Sequence, residues 1–206
     1  MMRVAAVILA AGRSLRFAAA GGGEATKLVA PLVGVPLARH VAQAALASKA
    51  WPVVAVTGHA REAVEAAFEG LPLIIAHNEN FASGLASSLR AGIDALPADI
   101  EGAIVLLGDM PAVTPDLIDQ LIERLQETPA ALAAAPVLGG RQGNPVLLSR
   151  GLFDRVAKLE GDEGARRLLA ALPPEKVLEV AAEGLGASLD VDTPEALDAA
   201  RKALET

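Results

Sequence analysis

Short apolar runs alternate with segments of helical spacing along most of this chain. The first run, residues 4–11, is continuous rather than alternating, which is typical of a strand buried on both faces of a sheet. A second run at 52–58 includes its exit turn. Further strands are predicted at 73–76, 102–107, 131–137, 144–148, 177–180 and 188–191.

Segments of helical spacing separate most of these strands. The clearest begins at Thr114-Pro115-Asp116, which combines a capping hydroxyl, a proline at the first helical position and an acid in the first turn. This pattern predicts a helix that runs to residue 127. Other helices are predicted at 37–47, at 61–68, at 83–96 with Ser83 as its cap, and at 150–156, 163–170 and 194–203.

The alternation of strand and helix predicts an α/β fold with a doubly wound, mostly parallel sheet. No internal repeat or linker is visible, so the whole chain, residues 1–206, is expected to form a single domain. Right-handed crossovers bring the carboxyl ends of parallel strands to one edge, where ligands bind. The loop after residue 11, residues 57–59, the segment after residue 76 and Gly108-Asp109 should therefore converge.

Composition and charge narrow the classes of function. The formal net charge of −7 argues against a general nucleic-acid binder, which normally has a basic face. The absence of cysteine excludes a disulfide, a thiol nucleophile and a cysteine-ligated metal. Residues 4–11 are too few to cross a bilayer and lack a convincing cleavage site behind them. We therefore expect a cytoplasmic protein without nucleic-acid or membrane partners.

The loop after the first strand is rich in glycine and positive charge. Gly12 permits a positive φ or a close backbone approach to a ligand, and Arg13, Arg16 and Lys27 flank a glycine cluster at 21–23. Backbone N–H groups and cations at the end of a buried strand can hold a polyphosphate. Neither the phosphate-loop motif nor the dinucleotide-binding glycine motif is present. An ordinary turn with solvated basic residues therefore explains the loop equally well at this point.

Two acidic positions are candidate metal ligands. Asp109 ends a predicted buried strand, and Mg²⁺ prefers carboxylate and phosphate oxygens. Alternatively, Asp109 caps the turn made by Pro111. Asp190 and Asp192 alternate around Val191, so both would face the same side of a strand. Alternatively, Asp192 is the N-cap of the helix that follows it.

The string 78–89 offers groups suited to a nucleobase. Gly84 allows close approach, and Ser87 and Ser88 offer hydroxyls to the polar edge of a base. Plain helix capping by Ser83, with the other two serines on the surface, is the alternative.

Two further strings lie in the second half of the chain. In the string 140–147, Pro145 restricts Asn144 to an extended conformation. Without a ligand this string would be a hairpin turn. The string 159–166 combines acids, glycines and an arginine, and its plain alternative is a helix start capped by Asp162.

These strings resemble a known family. Leu-Ala-Ala-Gly-Arg-Ser-x-Arg at 9–16, followed by Lys27-Leu28, resembles the signature of nucleotidyltransferases with a GT-A-like fold, and most of all the molybdenum-cofactor cytidylyltransferases. The chain departs from the family pattern in a longer gap between Arg16 and Lys27, and in Phe17-Ala18, where Met-Gly is usual. Strings similar to the family's others follow in family order: Gly-x-x-x-Ser-Leu at 84–89, Leu-Leu-Gly-Asp-Met-Pro-x-Val at 106–113, Gly-x-x-Gly-Asn-Pro-Val-Leu at 140–147, Gly-Asp-x-Gly-Ala-Arg at 161–166 and Asp-x-Asp-Thr-Pro-Glu at 190–195.

The resemblance implies a Rossmann-like three-layer sandwich and a Mg²⁺-dependent enzyme. The implied reaction transfers CMP from CTP to the terminal phosphate of molybdenum-molybdopterin and releases pyrophosphate. Catalytic roles are predicted for Arg16, Lys27 and Asp109, and metal binding for Asp109 and Asp192, with Asp190 left open. Nucleotide contacts are predicted for Leu9, Ala10, Ala11, Gly12, Arg13, Lys27, Asn78, Gly84, Ser87, Ser88 and Asp109, and acceptor contacts for Gly143, Asn144, Pro145, Asp162 and Arg166.

Several alternatives remain open. A related enzyme could use another donor such as GTP, or another acceptor such as a sugar phosphate or methylerythritol phosphate. A non-catalytic molybdenum-cofactor chaperone or a nucleotide-binding interaction module could keep the pocket, and a molybdoenzyme that receives the cofactor is a candidate partner. The presence of Asp109, Asp192 and Lys27 favours an enzyme. Ala11 favours CTP, since related guanylyltransferases have glycine at this position.

Overall fold

The computed structural model describes residues 2–182 and 189–204. Within these ranges the strands are β1 (Val4–Ala10), β2 (Pro31–Leu32), β3 (Val35–Pro36), β4 (Val53–Thr57), β5 (Ile74–His77), β6 (Gly102–Leu107), β7 (Ala133–Leu138), β8 (Arg141–Gln142), β9 (Val146–Ser149) and β10 (Val177–Ala181). The α-helices are α1 (Leu15–Ala19), α2 (Leu37–Leu46), α3 (Arg61–Ala67), α4 (Leu85–Asp94), α5 (Pro115–Glu127), α6 (Phe153–Val156), α7 (Ala165–Ala170) and α8 (Pro194–Leu204). Short 3-10 turns lie at Lys27–Val29, Phe81–Ser83, Arg150–Leu152 and Pro174–Lys176.

One large sheet organises the fold. Its strand order is β10-β7-β9-β6-β1-β4-β5, and β8 pairs with β7 as a hairpin. β1 runs parallel to β4 and β6, β4 to β5, and β7 to β10. β9 runs antiparallel to both β6 and β7. The prediction of an α/β fold with a doubly wound, mostly parallel sheet is therefore confirmed.

Helices cover both faces of this sheet. Ala6 and Ile8 of β1 belong to one apolar cluster with side chains of α2 and α5, whereas Val7 and Leu9 belong to another with side chains of α4, α6 and α7. Gly92 of α4 lies against β1, because a Cβ at this position would fall 2.3 Å from Val7 Cγ1. The continuous apolar run of β1 thus forms a strand buried on both faces, and the three layers leave the carboxyl ends of the strands to form a site.

The predicted helix start at Ser83 is wrong. Ser83 lies in a 3-10 turn and its hydroxyl donates to the Asn80 carbonyl, so it does not cap α4. Gly84 precedes α4 instead, with a φ of 110° in the region that favours glycine. A Cβ at Gly84 would fall 2.2 Å from the Gly161 carbonyl oxygen, which accepts from the Ala86 N–H. This long-range contact decides where the helix begins.

The loop after β1 contains a helix, α1, that the sequence did not predict. Its Phe17 is buried and belongs to a third apolar cluster together with Val191. The Gly22 N–H donates to the Phe17 carbonyl, and a Cβ at Gly22 would fall 2.2 Å from the Phe17 ring. The lengthened loop therefore contains a folded excursion, residues 15–25, which is anchored by one aromatic side chain.

Other boundaries differ by a few residues. The predicted helix at 150–156 is a 3-10 turn followed by α6, and the one predicted from residue 163 begins at Ala165, after Gly164, without a side-chain cap. Of the predicted strand at 188–191, residue 188 lies outside the described residues and 189–191 are not in a strand. Among the described residues, no helix is both long and apolar enough to cross a membrane.

Candidate active site

A cleft of about 610 Å³ lies at the carboxyl edge of β1 and β6. Its walls come from the loop after β1, from α1, from the turn before α4 and from the segments that carry the candidate acidic residues. Parallel strands that end at one edge explain why parts of the chain so far apart meet there. The lining residues are Leu9, Ala11, Gly12, Arg13, Ser14, Leu15, Arg16, Phe17, Lys27, Leu28, Phe81, Ala82, Gly84, Leu85, Ser88, Leu107, Asp109, Asp162 and Asp192.

An ion cluster occupies one side of this cleft. The Lys27 Nζ lies 2.6 Å from Asp109 Oδ2 and 2.6 Å from Asp192 Oδ1. The other carboxylate oxygen of Asp192 accepts from the Arg16 guanidinium at 2.7 Å. The Lys27 side chain is only 11% exposed, whereas that of Arg16 is 81% exposed. One buried cation therefore binds two carboxylates, and a solvated cation flanks the second.

The two carboxylates are brought together by the backbone around them. Asp109 lies in the turn at the end of β6, and its carbonyl accepts from the Val191 N–H at 3.0 Å. Asp192 directly follows Val191 in the sequence. The next residue, Thr193, caps α8 by accepting from the Ala196 N–H. Neither acid serves as a turn or helix cap, so the plain alternatives considered for Asp109 and Asp192 do not describe these side chains.

The cluster shifts the pKa of two of its members. Burial by itself lowers the pKa of Lys27, but the charge and hydrogen bond of Asp109, followed by those of Asp192, outweigh it and raise the pKa above its ordinary 10.5. The hydrogen bond from Lys27 lowers the pKa of Asp192 below its ordinary 3.8, against a smaller opposing effect of burial, and Arg16 adds to the lowering. Both groups are therefore charged at neutral pH.

One atom of the cluster has no partner. Asp109 Oδ1 is buried and accepts no hydrogen bond, which is unusual for a buried carboxylate oxygen. Among the described residues, no group of three or more His, Cys, Asp or Glu side chains could hold a metal. Two converging carboxylates with one free oxygen nevertheless fit Mg²⁺, which is commonly bound by one or two carboxylates together with substrate phosphates and water.

Three polar residues form a buried network beside the cleft. The Asn78 amide oxygen accepts from the Asn80 N–H, and its nitrogen donates to Ser87 Oγ and Ser88 Oγ at 2.8 and 3.0 Å. The Ser87 hydroxyl donates to backbone carbonyls, including that of Gly84. Of the three, only Ser88 lines the cleft. Asn78 and Ser87 thus lie behind the cleft wall and support it. The sequence alone did not separate these two residues from Ser88, which lines the cleft.

The wall beyond this network is apolar and tightly packed. Ala11 is buried, and a Cβ placed on Gly58 would fall 2.8 Å from the Ala11 Cβ and 2.7 Å from the Phe81 Cβ. The Ala11 methyl and the Phe81 side chain therefore both lie close to Gly58. Sequence reasoning did not select Phe81, and an aromatic residue three positions after Asn78 gave no signal that separates a cleft wall from ordinary core.

The predicted acceptor residues are not all at this cleft. Asp162 lines it. The preceding carbonyl, that of Gly161, accepts a hydrogen bond from the Ala86 N–H at the start of α4, which brings this segment to the cleft. Arg166 is exposed on α7 and does not line it. The string 140–147 forms the hairpin of β7 and β8 and the start of β9, so Gly143, Asn144 and Pro145 do not line the cleft either.

The remaining predicted residues divide in the same way. Leu9, Gly12 and Arg13 line the cleft, whereas Ala10 is fully buried in the core behind it. Gly12 has open space around its Cα, as a close approach by a ligand requires. Asp190 is exposed and does not line the cleft, so only Asp192 of the acidic pair does.

Comparison with known proteins agrees with this geometry. Residues 6–177 match the MobA-like NTP transferase domain. The chain belongs to this family. The match spans β1 to the start of β10, and so includes Lys27 and Asp109 but ends before Asp192.

Two relatives illustrate the range of proteins that the chain resembles in sequence. The purine catabolism protein PucB of Bacillus subtilis is 32% identical over 210 residues, which cover 96% of each chain. The bifunctional protein GlmU of Leifsonia xyli is 30% identical over 174 residues, 82% of this MobA-like chain but 35% of GlmU. The chain thus spans about a third of the length of the GlmU relatives that it matches.

Solved structures share the whole architecture. Rv0371c of Mycobacterium tuberculosis H37Rv is 26% identical with a TM-score of 0.82, and the alignment covers 98% of both chains. Its complex with manganese superposes with a TM-score of 0.77 over 98% of this chain and 100% of that one, at 24% identity. A nucleotidyl transferase from Methanothermobacter has a TM-score of 0.82 at 23% identity, covering 97% and 96% of the two chains, and shows the same fold.

Removing the buried cation should expose the electrostatics of the cluster. Lys27→Met leaves Asp109 and Asp192 without their shared partner. We expect the free energy of unfolding to fall by about 1–3 kcal/mol at neutral pH, less than the cost at a fully buried pair, because Asp192 is partly exposed. Lys49→Met, which removes a surface lysine paired with Glu123, is the control and should have little effect.

The loss should also depend on pH in a defined way. The lowered pKa of Asp192 provides stability that is present above 3.8 and lost as the pH falls through the folded-state value. The raised pKa of Lys27 provides stability that is present below 10.5 and lost as the pH rises through the folded-state value. Urea unfolding should therefore give a constant difference between wild type and Lys27→Met from about pH 7 to 9, shrinking in acid, where protonation relieves the repulsion between the two carboxylates that the variant leaves unpaired. A difference that varied within that range would contradict these charge states.

Proposed function

We propose that this chain transfers CMP from CTP to the terminal phosphate of a molybdopterin-type acceptor and releases pyrophosphate. An oxygen of the acceptor phosphate forms a bond to the α-phosphorus of CTP. The bond from that phosphorus to the bridging oxygen breaks, and its electrons leave with pyrophosphate. A phosphate monoester oxygen is already anionic near neutral pH, so the reaction needs no general base. The observation that carries the proposal is the convergence of Lys27, Asp109 and Asp192 in one cleft of this family's fold.

The residues of the cleft would act by position and charge. Such transfers depend on alignment of the reacting groups and on stabilisation of developing negative charge rather than on covalent chemistry. Lys27 and Arg16 are the cations beside the carboxylates, and we assign them to the β- and γ-phosphates, whose charge grows as pyrophosphate leaves. Gly12, with open space at its Cα, would let the loop backbone approach the same phosphates.

Asp109 and Asp192 would hold Mg²⁺. When bound, the ion neutralises phosphate oxygens and stabilises the charge that develops on them. Because Asp109 Oδ2 and Asp192 Oδ1 are paired with Lys27 in the free protein, the ion could bind these two oxygens only if they gave up this partner. The same exchange would free the Lys27 ammonium for the triphosphate.

The choice of CTP follows from the apolar wall. The cleft is lined by Ala11, Phe81 and Ser88, and the Ala11 methyl takes up space there that a glycine at this position would leave open. A pyrimidine tolerates that loss of space better than a purine. The Ser88 hydroxyl would meet the polar edge of the base, and a site built to hydrogen-bond one base penalises the wrong one.

A direct assay tests the proposal. The protein would be incubated with Mg²⁺, each nucleoside triphosphate in turn, and molybdopterin, a sugar phosphate, methylerythritol phosphate or no acceptor. Pyrophosphate release with CTP that requires molybdopterin supports the proposal. Release with another pair assigns a different substrate, and binding of molybdopterin without release from any triphosphate points to a cofactor chaperone.

Asp109→Asn tests the metal assignment. Asparagine keeps the size of the side chain but removes its charge, so we expect the fold to persist and turnover to fall about 10²-fold or more, the scale lost with one electrostatic element. The matched control is Asp190→Asn, because Asp190 is exposed outside the cleft and its change should leave turnover intact. Unchanged turnover in Asp109→Asn at saturating Mg²⁺ would refute the assignment.

Ala11→Gly tests the base preference. In the wild type we expect kcat/KM for CTP to exceed that for GTP at least about tenfold, or roughly 1.4 kcal/mol. Removing the methyl should narrow this gap by admitting GTP while hardly changing the value for CTP. Steady-state rates with both nucleotides decide the question, and a wild-type preference for GTP would overturn the role given to Ala11.

A further inference from the structure

The hydroxyls of Ser14 and Thr26 directly flank the excursion, residues 15–25. Ser14 Oγ and Thr26 Oγ1 are 2.7 Å apart, although twelve positions separate them in the sequence. The Lys27 N–H also donates to Ser14 Oγ, at 3.2 Å. The hydroxyl pair therefore closes the base of the excursion directly beside Lys27.

Few buried side chains hold this segment. Of residues 15–25, only Phe17 is buried and only Gly22 is half-buried, and the others are exposed. Segments with few buried contacts open locally at low free energy. Lys27 is the second residue after the excursion ends, so any drift at its base would move the ammonium that binds both carboxylates.

The chemistry of the pair fits an anchoring role. Thr26 is 1% exposed, so water does not replace a lost partner, and its hydroxyl lies within hydrogen-bond distance of Ser14 Oγ, where either group can donate. Ser14 has a φ of 51°, a left-handed conformation that is uncommon for a residue other than glycine. Such a backbone persists only where its surroundings hold it. Its hydrogen bonds to Thr26 and Lys27 supply that restraint.

We propose that Ser14 and Thr26 are positioning residues, which keep Lys27 in place across the lengthened loop through their paired hydroxyls. The effect on substrate rests on the proposed function, in which Lys27 meets the triphosphate. Thr26 does not line the cleft, so its influence on a nucleotide must pass through its neighbours.

Thr26→Val and Thr26→Ser form the matched test. Valine keeps the shape and removes the hydroxyl, whereas serine keeps the hydroxyl. By calorimetry, Thr26→Val should weaken CTP binding about tenfold and CMP binding less than about twofold, the loss expected from one buried hydrogen bond that acts at the β/γ end. Thr26→Ser should bind both as the wild type does. If Thr26→Val does not fold, Ser14→Ala removes the other partner. Because Ser14 itself lines the cleft, its loss of CTP affinity supports positioning only if that loss disappears in a Lys27→Met background.

A double-mutant cycle separates positioning from a general effect on stability. In a Lys27→Met background, which itself should weaken CTP more than CMP, Thr26→Val should add no further loss, because both changes act through one ammonium. Additive losses, or a lower melting temperature with an unchanged ratio of CTP to CMP affinity, would overturn the positioning role and leave the proposed function standing. If Lys27→Met itself left that ratio unchanged, the assignment of Lys27 to the triphosphate would fail, and the positioning role with it.

Discussion

The ammonium of Lys27, held between two carboxylates, is the interaction on which the site depends. Asp109 follows a strand in the middle of the sheet, and Asp192 precedes the last helix. Without a cation between them, two carboxylates this close would repel each other in a partly buried setting. Lys27 reaches both at 2.6 Å. One charge thus joins the central sheet, the excursion after β1 and the carboxyl-terminal segment.

This arrangement has a consequence for function. The protein alone satisfies its acidic pair with its own lysine, so it has a cluster that is charged but nearly neutralised. Asp109 Oδ1 is left without a partner, and Arg16 flanks Asp192 from the solvent side. A triphosphate with its bound cation brings negative charge for Lys27 and Arg16 and positive charge for the two carboxylates. Substrate binding would therefore proceed as an exchange of ion pairs in a cleft that is already formed.

The general architecture could be predicted from the sequence because the signals were local. The continuous apolar runs predict β1 and β6 without reference to other parts of the chain. The capping residue Thr114 predicts the start of α5 in the same way. The motif around Asp109 likewise marked a residue that does reach the cleft. These predictions needed no knowledge of distant contacts.

What could not be predicted depended on distant contacts. The start of α4 is decided by the Gly161 carbonyl, which no pattern near Ser83 reveals. Ser87 and Ser88 are neighbours in the same motif, but the helix turns one of them toward backbone carbonyls and the other toward the cleft. A motif similar to a family's acceptor segment likewise does not tell which cleft it lines, and the string 140–147 lies away from the one that holds Lys27.

Binding of Mn²⁺ to the nucleotide-free protein tests most directly whether Asp109 and Asp192 form a cation site for which the Lys27 ammonium competes. Calorimetry on the wild type, Lys27→Met and the control Lys49→Met would compare a buried and a surface lysine. If the ammonium competes for the two carboxylates, Lys27→Met should bind Mn²⁺ at least about tenfold more tightly than the wild type, or roughly 1.4 kcal/mol. Lys49→Met should bind it as the wild type does. Equal or weaker binding by Lys27→Met would contradict the account.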